Sequence, residues 1–147
     1  MGGRSSAVFY NPSCPNGKTR HVSFGKEKVS PQALHIANWL VDSADDQGMP
    51  FMIIDKVHAR AMIFDAIGQL QGTALALLGL ARGDDSAPSI GQRKLSSIRP
   101  DERTTPAGRF VASRDRDVNG REMLWVDFDS AISVHPVVKG APAERRS

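Results

Sequence analysis

The sequence contains few residues of the kinds that cross-link small domains or bind metal ions. Cys14 is the one cysteine among 147 residues, which excludes an internal disulfide and a cysteine-rich zinc site. His21, His35, His58 and His135 are far apart, and no pair has the short spacing that places two ligands on one element. We therefore expect neither a metal nor another cofactor.

The chain also lacks a long apolar run. Its longest mostly apolar stretch, residues 73–81, is far shorter than the roughly 20 residues that a membrane-spanning helix needs. Residues 1–10 show no apolar stretch like that of a secretory signal. We expect no transmembrane segment.

Neither sign of charge is in large excess. There are 19 basic and 16 acidic residues, for a formal charge of +3, and both signs are scattered along the chain. A nucleic-acid-binding protein would show clustered Lys and Arg together with aromatic residues that can stack on bases. We expect no nucleic-acid partner.

Length and composition indicate one globular domain. Compact domains most often have about 100–150 residues, and 40% apolar with 24% charged residues is close to the globular average. Residues 1–29 are rich in turn formers and predict an irregular lead-in. Ser30 can cap a helix that begins at Pro31 and carries apolar residues at helical spacing, and Gly48 can end it. We divide the chain into a lead-in with an amphipathic helix, 1–48, and a second part, 49–147.

The second part is predicted to be mainly β. Apolar runs predict a hairpin of strands 51–55 and 60–65. Residues 69–80 are apolar and strand-like but also permit a helix. A long polar segment, 82–107, separates them from two further strands, 108–113 and 122–128, and a short one, 131–134. Asn119-Gly120 predicts a type I′ turn. The preceding Asp115-Arg116-Asp117 begins a calcium-loop pattern, but position twelve is Val126 instead of glutamate, so no calcium site is expected.

Two segments carry a resemblance to a known family. Thr105-Pro106-Ala107-Gly108-Arg109-Phe110 and the strand that ends in Ser133-Val134-His135 resemble the middle of an L,D-transpeptidase catalytic domain. The likeness covers roughly residues 51–138 and favours the strand over the helix within 69–80. It implies an L,D-transpeptidase-like β-sandwich with one N-terminal helix, in which the Thr-Pro-x-Gly-x-Phe segment enters the strand that supports the active-site cleft.

The resemblance implies an acyl transfer through a cysteine thioester. By that resemblance, His135 would be the general base, peptidoglycan stem peptides the substrates, and the periplasm or cell envelope the location. The family's cysteine lies further along, in a Ser-His-Gly-Cys or similar motif, and the twelve residues after His135 contain no cysteine. The family usually has glycine where this chain has Pro136. We therefore expect a C-terminally incomplete domain that is inactive without the missing nucleophile. Cys14 is no substitute, since nothing in its loop predicts a lowered thiol pKa.

Two other functions remain open from the sequence. The first is a non-catalytic module of the cell envelope that binds wall peptides or a partner protein through the same cleft. The second is a small cytoplasmic β domain of another function. Cooperative unfolding as a monomer would favour a self-sufficient binding module over a fragment of an enzyme.

Overall fold

The computed structural model describes residues 22–135 and, as backbone alone, the strand formed by residues 7–10. Within these residues the fold is mainly β, with one α-helix and two small sheets built mostly from antiparallel pairs. The elements in chain order are β1 (Ala7–Tyr10), α1 (Pro31–Ser43), β2 (Phe51–Asp55), β3 (Arg60–Phe64), β4 (Leu70–Leu75), β5 (Arg109–Val111), β6 (Ser113–Arg116), β7 (Glu122–Asp127) and β8 (Ile132–Val134).

Helix α1 begins where the sequence predicts. The hydroxyl of Ser30 accepts a hydrogen bond from the backbone N–H of Ala33 at 3.1 Å, and Pro31 occupies the first turn, where no backbone donor is needed. The predicted end at Gly48 is wrong. The helix stops at Ser43, and Ala44 takes the left-handed cap conformation with φ 55°. Gly48 also has a positive φ, 71°, but it lies in the turns beyond the helix.

The first sheet has the strand order β4-β3-β2-β1-β5. The predicted hairpin of β2 and β3 is confirmed, with Phe51 opposite Phe64 and Asp55 opposite Arg60. The strand predicted within 69–80 is confirmed only as far as Leu75. The prediction of an irregular lead-in is wrong for residues 7–10, because β1 pairs antiparallel with β2 and parallel with β5.

The second sheet has the order β6-β7-β8. The single strand predicted over 108–113 is divided: β5 belongs to the first sheet, β6 to the second, and the buried Ala112 lies between them. The β6–β7 hairpin is confirmed, but its turn is not type I′. Such a turn needs a positive φ at both central residues, and of Asn119 and Gly120 only Gly120 has one.

The first sheet lies between α1 and the second sheet. Side chains on a strand alternate between the two faces, and in β2 they contact two different hydrophobic clusters. The cluster on the α1 side consists of Ala33, Ala37, Leu40, Val41, Met49, Phe51, Ile53, Met62 and Phe64. The cluster on the other side consists of Ile54, Ala112 and Val126, with Met52, Ala61, Leu78, Phe110, Leu124, Ile132 and Val134 packed against it.

Helix α1 and the first sheet therefore share a core across the predicted boundary at residue 48. The division into two parts remains a prediction, although residues on both sides of it pack together. No helix in the described part of the chain is both long and apolar enough to span a membrane.

Candidate functional site

The Thr-Pro-x-Gly-x-Phe segment leads directly into β5 of the first sheet. Its threonine is held by the preceding chain, because the backbone N–H of Gly79 donates to the Thr105 hydroxyl at 2.8 Å. Pro106 is buried, and the N–H of Ala107 donates to the carbonyl of Asp84 at 2.8 Å. Phe110 is half-buried against the second cluster. The segment is thus a structural support at the start of β5.

Gly79 makes the closest backbone approach to this segment. A Cβ atom at Gly79 would lie 2.1 Å from the carbonyl oxygen of Arg103, which is much closer than two such atoms can approach. At Gly108, within the motif, an added Cβ would meet only the ring of Phe110, at 3.3 Å. Of these two glycines, the close packing therefore requires Gly79, in the segment that follows β4.

The long segment 82–107 is ordered by ion pairs and three short 3-10 turns, at Ile90–Gln92, Leu95–Ser97 and Pro100–Glu102. At its start, the Lys56 ammonium lies 2.7 Å from the Asp84 carboxylate. Further along, Arg93 donates to both oxygens of Glu102, at 2.9 and 2.8 Å. These two hydrogen bonds and one from the backbone N–H of Arg99 lower the pKa of Glu102 to about 2.

His135 lies at the end of the second sheet, immediately after β8. Its side chain is exposed and lines a pocket of about 710 Å³. The other residues that line the pocket are Arg114, Asp115, Arg116, Glu122, Met123, Leu124 and Val134. The pocket is thus formed by the ends of β6 and β8 and the beginning of β7, with apolar side chains between charged ones.

The charged groups of the pocket are not equally paired. Arg116 donates to the carbonyl of Gly120 at 3.0 Å and lies 3.9 Å from the Glu122 carboxylate. The Asp115 carboxylate accepts the backbone N–H of Arg116 at 2.7 Å. Within the described residues the Arg114 side chain makes neither an ion pair nor a hydrogen bond. Arg114 is therefore the cation of this pocket that can receive an anion.

A second histidine is held by a carboxylate elsewhere in the fold. In the turn between β2 and β3, Nδ1 of His58 lies 2.9 Å from Asp55, whose side chain is 3% exposed while that of His58 is 59% exposed. Burial alone raises the pKa of Asp55, but hydrogen bonds from His58, Ser30 and the N–H groups of His58 and Val57 outweigh it and leave the pKa below its usual range. Because Ser30 caps α1, this pair ties the hairpin to the helix.

Among the remaining sequence candidates, those in the described part of the chain do not line the pocket. His35 is exposed on α1, and His21 and Cys14 lie outside the described residues. Asp117 accepts N–H groups of Asn119 and Arg121, each at 2.8 Å, so its carboxylate organises the hairpin turn.

No group of three or more His, Cys, Asp or Glu side chains in the described ranges could hold a metal ion.

Sequence reasoning misses Arg114 and Asp55. Arg114 is one of several scattered charges, and only the sheet register places it beside Leu124. Asp55 has a local signal, because an aspartate two or three residues before a turn often accepts its N–H groups.

Comparison with known proteins adds no relative. No protein-family model, no curated protein sequence and no solved structure matches this chain.

Proposed function

We propose that this chain is an L,D-transpeptidase-like protein of peptidoglycan cross-linking or remodelling, located in the periplasm or cell envelope. The observation that supports it best is the position of His135, which immediately follows β8 and lines a pocket that also has apolar side chains. A second support is the Thr105–Phe110 segment, which leads into β5 beside β1 at one edge of the first sheet, with Phe110 packed against the second cluster. On this proposal the two sheets correspond to the family's β-sandwich.

His135 would act as the general base of the acyl transfer. Its imidazole would take the proton of a cysteine thiol, and the thiolate would attack a backbone carbonyl of a stem tetrapeptide. The tetrahedral intermediate collapses to a thioester as the C–N bond breaks, and the departing amine receives the proton. The side-chain amine of a second stem peptide then attacks the thioester, which restores the thiol and leaves a new amide cross-link. Backbone N–H groups that stabilise the oxyanion would each contribute about 3–4 kcal/mol.

The proposal requires a cysteine nucleophile in addition to the residues of this chain. After His135 the 147-residue chain has no thiol, and a thiolate is required for the first step. We therefore propose that these 147 residues alone carry out no acyl transfer.

A matched pair of histidine variants tests the role of His135. The protein is produced from its entire reading frame, and cross-linked dimers formed from purified disaccharide tetrapeptides are counted by mass spectrometry. We expect His135→Gln to lower the rate about 10²–10⁴-fold, the usual contribution of a general base. His35→Gln removes an exposed imidazole from α1 and should leave the rate unchanged. Equal rates for the wild type and His135→Gln would contradict the assignment.

The alternative is a non-catalytic envelope module that binds wall peptides through the same pocket. The observation that favours it is that the pocket and both hydrophobic clusters are formed within the described residues, without a nucleophile. A binding module should unfold cooperatively as a monomer, with the same midpoint by fluorescence and by circular dichroism. A fragment that needs further sequence for its core should lack a shared midpoint.

A further inference from the structure

The pocket lies where the second sheet extends beyond the hydrophobic core. At one end of the sheet, Ala112 and Val126 are buried against the first sheet. Toward the turn of the β6–β7 hairpin the same face becomes charged and exposed, with Arg114 and Arg116. Leu124 and Val134 lie at the boundary and belong to both the second cluster and the pocket lining. The pocket lining therefore combines apolar side chains near the core with charged side chains toward the hairpin.

The register places an arginine at a defined distance from the end of β8. Arg114 is paired with Leu124 on β7, and Leu124 is paired with Val134 on β8. Directly paired residues point to the same face of a sheet, so these three form one row across the three strands. With strands about 4.8 Å apart, the backbones at Arg114 and Val134 are separated by about 10 Å. A short peptide can lie over Leu124 between Arg114 and the end of β8.

The pairing of the charged side chains in the pocket indicates which chemical group a ligand should carry. Arg116 and Glu122 lie 3.9 Å apart and offset each other, and Asp115 is engaged by a backbone N–H. Arg114 has no partner of either kind among the described residues. A guanidinium presents a planar pair of N–H donors that matches the two oxygens of a carboxylate.

We propose that this pocket binds a peptide by its free carboxylate, with Arg114 as the anchoring residue and Leu124 and Val134 as the apolar surface that contacts the adjoining side chain. The inference rests on the proposed function in that it places the peptide in the pocket that His135 lines. It adds the chemical group that the pocket recognises and the residue that recognises it. Arg114 is a binding residue and takes no part in proton transfer.

Binding of two matched dipeptides tests the proposal. The labelled 147-residue chain is titrated with N-acetyl-alanyl-D-alanine and with its C-terminal carboxamide, and the methyl signals of Leu124 and Val134 are followed by NMR. The acid should shift these signals in a saturable way. The carboxamide should bind at least about tenfold more weakly, since a charge-assisted hydrogen-bonded pair is lost.

Variants identify the anchor. Arg114→Gln should weaken binding of the acid to the level of the carboxamide, and Arg114→Lys should retain part of the affinity. Arg121→Gln removes the same charge from the exposed turn of the same hairpin and should leave the affinity unchanged. Unfolding midpoints of all variants are measured in parallel to confirm that each is folded.

Three results would overturn the inference: equal binding of acid and carboxamide, binding of neither, or unchanged binding in Arg114→Gln. Competition by inorganic phosphate as strong as by the dipeptide would also overturn it, because the pocket would then recognise charge without a peptide.

The binding test requires no chemistry, so the two proposals can fail separately. Carboxylate binding without thioester formation by the product of the whole reading frame would overturn the proposed function alone. Normal cross-linking by that product carrying Arg114→Gln would overturn this inference alone.

Discussion

At the scale of single residues, the glycines of this chain have very different tolerances. Gly79 lies against the backbone of Arg103, with 2.1 Å between an added Cβ and the carbonyl oxygen. Because the obstacle is backbone, a side-chain rotation cannot relieve it. Gly72, in strand β4, has nothing within 4 Å of an added Cβ. One methyl group should therefore have opposite effects at the two positions.

We expect Gly79→Ala to lower the free energy of unfolding by about 1–3 kcal/mol, the usual cost of an added carbon in a packed site. The matched control Gly72→Ala should change it by less than about 1 kcal/mol, and in the stabilising direction, since alanine has less freedom in the unfolded chain. Urea unfolding midpoints give both values. Equal midpoints for the two variants would show that the chain at Gly79 can move away from Arg103.

Asp55 should contribute stability that depends on pH. Its folded pKa is depressed, so the contribution is fully present above the unfolded pKa of about 3.9 and is lost as the pH falls through the folded value. We expect Asp55→Asn to lower the free energy of unfolding at pH 7 by about 1–3 kcal/mol, because His58 and the capped helix lose a charged acceptor. The difference from the wild type should shrink toward pH 2.

Asp42→Asn is the control for this effect, since Asp42 is exposed on α1. Unfolding of the wild type and both variants by urea at pH 7 and near pH 2 measures the differences. A deficit in Asp55→Asn that is the same at both pH values would contradict the proposed role of its charge.

At the scale of elements, one carboxylate joins two parts of the segment 82–107. Glu102 accepts two hydrogen bonds from Arg93 and one from the backbone of Arg99. It therefore closes the chain between the 3-10 turns that begin at Ile90 and Pro100. Since the pKa of Glu102 is about 2, this closure should persist through mildly acidic pH and be lost only as the pH falls through that value.

Glu102→Gln should make this segment more accessible to protease. An amide oxygen can accept from Arg93 at one position only, and it carries no charge. We expect trypsin to cleave after Arg93, Lys94 and Arg99 severalfold faster than in the wild type, as followed by mass spectrometry of the fragments. Asp101→Asn is the control, because the Asp101 side chain is 68% exposed and pairs with Arg99 alone. Identical cleavage rates in Glu102→Gln and the wild type would contradict the role of the closure.

Elements that are fixed by neighbouring residues can be predicted from the sequence. Helix α1 is predictable because its start depends on neighbours in the chain: Ser30 caps Ala33 and Pro31 needs no donor. The hairpin of β2 and β3 is predictable for a similar reason. The division between β5 and β6 is not, because β5 is drawn into the first sheet by parallel pairing with β1, about 100 residues earlier in the chain. Non-local pairing of this kind leaves no periodic signal at residue 112.

The site residues, too, can be predicted from the sequence only where the signal is local. His135 stands out in the sequence because it ends a strand before Pro136, which is a local feature. Arg114 becomes a candidate only when the register places it in a row with Leu124 and Val134. Its lack of a partner among the described residues is likewise a property of three-dimensional neighbours. The pocket could not be predicted from the charged residues alone.

At the scale of the whole molecule, a mainly β scaffold is joined to one charged pocket. The first sheet is packed on α1 by one cluster and on the second sheet by another. On our proposal, the end of the second sheet that extends past this core provides His135 for proton transfer and Arg114 for a carboxylate. The scaffold positions both without taking part in the chemistry.

The most direct test is the mass of the protein produced from its entire reading frame after exposure to a carbapenem. We predict a covalent adduct of one acyl group, mapped by peptide digestion to a cysteine that lies C-terminal to His135, and no adduct on the 147-residue chain. An adduct on the 147-residue chain, or no adduct on the product of the whole reading frame, would contradict the proposed L,D-transpeptidase-like function.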